Sequence, residues 1–175
     1  MASLRLPLAL LLIAAVLQGC SGSGGGETTD EQTFSELLAE YQSREAEINM
    51  SSSFSAMNLP TTGGARYEGP FLMRTSSPTI ELWGQMHLDI NFMTDKVNGG
   101  VENFRRPDET PVSGSLTLQE DDILRTQSTP LTASFADARL TEPGVTYDVE
   151  NLQITGRFFG ATGQLMTGIV TGDVV

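Results

Sequence analysis

Residues 82–92 constrain this chain more than any other stretch. Leu82, Gly84, Met86, Leu88, Ile90 and Phe92 alternate with Trp83, Gln85, His87, Asp89 and Asn91. Such a period of two, held over eleven residues, excludes a helix and requires a strand with one dry face and one wet face. Weaker versions of the pattern recur at 65–73, 97–104, 112–118, 122–127, 131–140, 149–159 and 164–172. Turn signals separate them, among them Ser77-Pro78, Thr94-Asp95-Lys96, Arg106-Pro107-Asp108, Ser128-Thr129-Pro130, Glu142-Pro143-Gly144 and Gly160-Ala161-Thr162-Gly163. Eight antiparallel segments at this spacing predict an all-β domain over 63–175, an up-and-down β-barrel of eight strands whose closure removes both edges. Leu88, Ile90, Phe92, Leu116, Leu118, Ile154 and Phe158 are its expected inward set. The polar side of 82–92 cannot form the apolar outer band of a membrane barrel, so the dry face is expected to point inward.

Ahead of the strands the period is helical. Phe34, Leu37, Leu38 and Tyr41 fall at i, i+3, i+4 and i+7, and Ile48 follows one heptad after Tyr41. These predict one short amphipathic helix over 30–49, with Asp30 as its cap and Glu31 in its first turn. It is expected to pack across one end of the barrel, followed by a Ser/Thr-rich linker over 50–62.

The first residues carry an address. Arg5 precedes an uncharged apolar run from Leu6 to Leu17. At roughly 12 residues it is too short to span a bilayer and reads as a signal-peptide core. It ends in Leu17-Gln18-Gly19-Cys20, which resembles the lipobox of bacterial lipoproteins. The resemblance implies removal of 1–19 and acylation of Cys20, the chain's one cysteine. Residues 20–29 would then be a lipidated, glycine-rich tether, and two or three acyl chains suffice for stable anchoring. The net charge of −12, more negative still once Arg5 is lost, argues against nucleic acid as a partner.

Chemistry is sparse. His87, the one histidine, sits on the wet side of its strand and is expected to be solvated. Glu120-Asp121-Asp122 lacks the spacing of a calcium loop. Met50, Met57, Met73, Met86, Met93 and Met166 are scattered, with Met86 and Met73 expected in the core. No catalytic residue, metal site or cofactor is expected.

Three motifs resemble one family in its own order. Pro60-Thr61-Thr62-Gly63-Gly64-Ala65-Arg66-Tyr67-Glu68-Gly69 is similar to the opening barrel strand of transferrin-binding protein B-like lipoproteins. Leu88-Asp89-Ile90-Asn91-Phe92 with Lys96-Val97-Asn98-Gly99-Gly100-Val101 is similar to a later hairpin of that barrel. Ile154-Thr155-Gly156-Arg157-Phe158-Phe159-Gly160 with Met166-Thr167-Gly168-Ile169-Val170 is similar to its closing hairpin. The resemblance implies a single C-terminal-type β-barrel on a surface lipoprotein.

The leading expectation is a non-enzymatic, monomeric lipoprotein anchored to the outer membrane through lipid on Cys20. Its unknown protein partner would be bound through loops such as 103–111 or 141–147. The alternatives are a periplasm-facing carrier of a small apolar ligand in the barrel interior, or a structural envelope lipoprotein. Replacing Cys20 tests the address: Cys20→Ser is expected to abolish incorporation of labelled palmitate and leave the precursor unprocessed on gels, whereas undiminished labelling would place the lipid elsewhere.

Overall fold

The computed structural model describes residues 9–14, 31–74 and 80–174; residues 9–14 are described as backbone alone. Cys20, the tether over 20–29, the rest of the leader, the proposed cap Asp30 and the turn at Ser77-Pro78 lie outside these residues. The described chain is mostly β, with one α-helix, and all of its strand pairing is antiparallel.

In chain order the elements are β1 (Ala9–Ala14), α1 (Phe34–Met50), β2 (Ser53–Phe54), β3 (Gly64–Arg74), β4 (Glu81–Asn91), β5 (Lys96–Arg105), β6 (Pro111–Val112), β7 (Leu116–Asp122), β8 (Leu131–Ser134), β9 (Ala138–Glu142), β10 (Val145–Phe159) and β11 (Leu165–Val174). β6 and β7 form one interrupted pass along β5, and β8 and β9 form another along β10. These two passes are linked to each other by isolated bridges, Ser113–Thr141, Leu118–Phe135 and Ile123–Leu131. β1 lies between β11 and β3. The apolar segment read as a leader core thus supplies a strand here.

The passes run between two ends. The upper end carries the turns at 106–110 and 143–144, and the lower end those at 92–95, 124–130 and 160–164. The dry face of β4 is as the alternation requires: Leu82, Met86, Leu88 and Ile90 are buried in one continuous core with Tyr67, Phe71, Phe104, Ile154 and Phe158. Gly99 shows how tightly the sheet is built. It sits at a bulge in β5 with φ +155°, and a Cβ there would lie 2.1 Å from the His87 carbonyl oxygen. Gly114, with φ +116°, marks the break between β6 and β7.

Two sequence expectations are corrected. Residues 122–127 do not form a strand of their own: Asp122 ends β7, Ile123 makes one bridge, and the chain then turns. Leu124 is exposed and Arg125 is drawn aside to carbonyl oxygens, so no alternating dry face develops there. The expected strand count within 63–175 therefore falls by one, to seven passes.

The helix, too, is placed differently. Its cap is Thr33, whose hydroxyl accepts from the Glu36 N–H while the Glu36 carboxylate accepts from the Thr33 N–H, a reciprocal box. Glu109 accepts from the Phe34 N–H at 2.8 Å, fixing the helix start at the upper end. From there α1 lies along the outer wall and does not cross an end. Its apolar stripe finds Trp83, the one large apolar side chain on the otherwise polar face of β4. Phe34 and Tyr41 meet the indole edge-on at 5.6 and 5.5 Å, and Leu37 packs with Leu72 beside it. Farther along, Ile48 packs on Leu165 with Phe159. The segment that does cover an end is the linker: Ala56 and Leu59 enter the core, and Gly160 N–H donates to the Ser52 carbonyl at 3.0 Å.

Leu37 is fully buried at this seam. Leu37→Ala is expected to cost about 2–5 kcal/mol, the range for a large apolar side chain removed from a packed site. Urea unfolding followed by far-UV circular dichroism measures it, and a loss below roughly 0.5 kcal/mol would mean that the helix is not docked in solution.

Candidate functional site

The lower end is organised around one side chain. Arg125 donates to the Leu59 carbonyl at 2.7 Å, the Pro60 carbonyl at 2.7 Å, the Phe92 carbonyl at 3.1 Å and the Asp95 carboxylate at 2.8 Å. A planar guanidinium, with N–H donors fanned over three nitrogens, reaches all four acceptors at once, more than a lysine has donors for. The turn between β4 and β5, the linker and the turn after β7 are therefore fastened together.

Exposed apolar side chains lie close in sequence to this clamp, among exposed polar ones such as Asn58, Thr94 and Thr126. Met57 is 67 % exposed, Met93 72 % and Leu124 38 %, each within two residues of Arg125 or of a group it binds. Met50, at 83 %, ends α1 at the same end. A cavity of about 320 Å³ opens nearby, lined by Phe54, Gln127, Pro130, Arg157 and Phe158 among others. In sequence these methionines look scattered. What distinguishes them from the buried Met73, Met86 and Met166 is position: Met50, Met57 and Met93 fall in turns or at a helix end, outside any alternating strand.

The two loops nominated from sequence, 103–111 and 141–147, meet at the upper end. Arg106 forks onto the Glu142 carboxylate, and both contact the Tyr147 hydroxyl. The Glu142 side chain is only 7 % exposed. The Arg106 guanidinium bound to it, with help from Tyr147, outweighs burial and holds its carboxyl below the ordinary value. Tyr67, deep in the core, donates to the Gly163 carbonyl at 2.8 Å, and burial pushes its phenol well above the usual range.

His87 is half-buried on the outer wall. It lines a groove of about 270 Å³ beside α1, together with Glu40, Arg66, Glu68 and Glu102. Glu120-Asp121-Asp122 contributes one ion pair, Lys96 to Asp122 at 2.7 Å, across in-register β5 and β7. Among the described residues no three His, Cys, Asp or Glu side chains are placed to hold a metal ion. Leu88, Ile90, Phe92, Leu116, Leu118, Ile154 and Phe158, the predicted inward set, all lie in the one core.

Compared with protein-family models, curated proteins and solved structures, the chain matches none.

The Glu142 contact has a sign in pH. A carboxyl with a depressed folded-state pKa stabilises fully above its unfolded value, 4.5, and loses that contribution as pH falls through the lower folded value. Glu142→Gln is therefore expected to lose about 1–3 kcal/mol at pH 7 in urea unfolding. Its deficit should shrink as the pH is lowered from about 4.5 toward 3, and a pH-independent deficit would remove the charge from the explanation.

Proposed function

We propose that the chain is an exported lipoprotein, acylated at Cys20 and held on the outer membrane, which carries out no catalysis and docks a protein partner on the apolar rim of its lower end. Its body is a small up-and-down barrel of eight strand positions, joined around the ring by the bridges between the β6–β7 and β8–β9 passes. The order of motifs resembling transferrin-binding protein B-like lipoproteins supports the same barrel.

The observation that carries the docking surface is that Met57, Met93 and Leu124, all exposed, are borne by segments that Arg125 fastens together at the lower end. Clustered exposed apolar side chains mark interaction sites, and methionine adapts to the shape of what it meets. A rigid clamp beneath them lowers the ordering cost of association. Position agrees. The helix starts at the upper end, so a tether attached ahead of it leaves the lower end as the side turned away from the anchor.

A barrel carrying a small apolar ligand is less well supported, because the interior is occupied by Tyr67, Phe71, Phe104, Phe158 and their neighbours. The two described cavities lie on the outer wall beside α1 and by the linker at the lower end.

Site-specific photo-crosslinking in living cells tests this reading. A crosslinker at position 57 is expected to give a discrete protein adduct, and one at Asp108, on an exposed upper turn, none. Met57→Glu with Met93→Glu should abolish the adduct from a crosslinker at position 124 while changing stability by no more than about 0.5 kcal/mol. An adduct from position 108 alone would move the partner to the upper loops.

A further inference from the structure

We propose that removal of the leader opens a one-strand slot between β3 and β11, and that the processed body takes in there an extended, uncharged apolar segment of a partner protein. The proposal rests on the reading of Cys20 as the processing point.

Chain direction carries the argument. Seven passes follow the leader, and consecutive passes alternate in direction, so the first and last run the same way. β1 is antiparallel to both β11 and β3, which makes those two parallel to each other across it. An odd set of alternating passes cannot close on itself with antiparallel pairing throughout; one more strand is needed. In this structure Ala9–Ala14 is that strand. It runs in register with β11 from Ala9 opposite Val170 to Ala14 opposite Leu165, and Ala14 also faces Glu68 of β3.

The flanks are also tied to each other by the helix, which lies against the strand between them as well. α1 packs on the β3–β4 side through Leu37, Leu72 and Trp83, and on the β10–β11 side through Ile48, Leu165 and Phe159. It staples the seam from outside. Direct closure would require β3 and β11 to approach by roughly one strand spacing, ~4.8 Å, against that staple, and to pair in the less favourable parallel sense.

The nature of the occupant follows from what sits there now. Ala-Leu-Leu-Leu-Ile-Ala carries no charge, and Val170 and Met166 on the adjoining strand are fully buried. The tether that remains after processing, with Gly22, Gly24, Gly25 and Gly26 and no apolar side chain between Ser21 and Asp30, is a poor substitute. Main-chain pairing with the partner strand would supply affinity, and its apolar side chains specificity.

The test uses the processed, acylated protein purified in detergent. Its intact mass is read first, because a chain still carrying residues 1–19 would overturn the processing point itself. The probe is a fluorophore-labelled peptide of residues 8–16, compared with the same peptide carrying Leu10→Pro and Leu12→Pro. A central strand uses each N–H on one side or the other, so proline removes pairing wherever it falls. A Leu10→Ala, Leu12→Ala peptide, which keeps every N–H, controls for the lost apolar surface and is expected to bind more tightly than the proline peptide. Saturable one-to-one binding, weakened at least about tenfold by the prolines, is expected in fluorescence anisotropy. A correctly processed chain that binds neither peptide, or both alike, would overturn the slot alone. A stable dimer that excludes the peptide would assign the seat to a second copy and overturn the partner.

Discussion

Aromatic rings of β3 meet rings of β10 and β5 inside the core, and the rest of the structure is arranged around that contact. Tyr67 of β3 lies 5.8 Å from Phe158 of β10, and Phe71 meets Phe104 of β5 edge-on at 6.0 Å. Rings of this size set the width of the interior and leave the strands no freedom to slip by one residue, because a slip would turn every large side chain outward. Glycines then absorb the curvature this width imposes, as Gly99 does where β5 bulges against the His87 carbonyl.

How much of this was legible in the sequence depends on whether local pattern or distant partners decide each element. β4 declares itself, since its alternation is complete and its buried face is continuous. α1 does as well, because Phe34, Leu37, Leu38, Tyr41 and Ile48 share one stripe. Where the stripe would land did not follow, since Trp83 reads as one more member of a polar face until a helix covers it. The segment 122–127 misled for a related reason. Its residues permit a strand, but Arg125 gains more from three carbonyls and a carboxylate than from any ladder.

The surface proposed for docking was harder to foresee. Met57, Met93 and Leu124 are far apart in the chain, and what relates them is that Arg125 joins the segments that bear them. The upper loops, nominated for their freedom, spend part of it on the contact of Arg106 with Glu142 and Tyr147. Chain order could not reveal the parity of the sheet either, because one expected strand proved to be a turn and an unexpected one came from the leader.

Trp83 is the chain's one tryptophan, and it is sandwiched at the seam between α1 and the wall. Its indole N–H donates to Glu81 at 2.8 Å, and its ring is almost completely covered. The molecule therefore carries a built-in optical reporter. Its ultraviolet emission is sensitive to the approach of the helix, so undocking of α1 becomes visible as a red shift even while the sheet beneath stays intact.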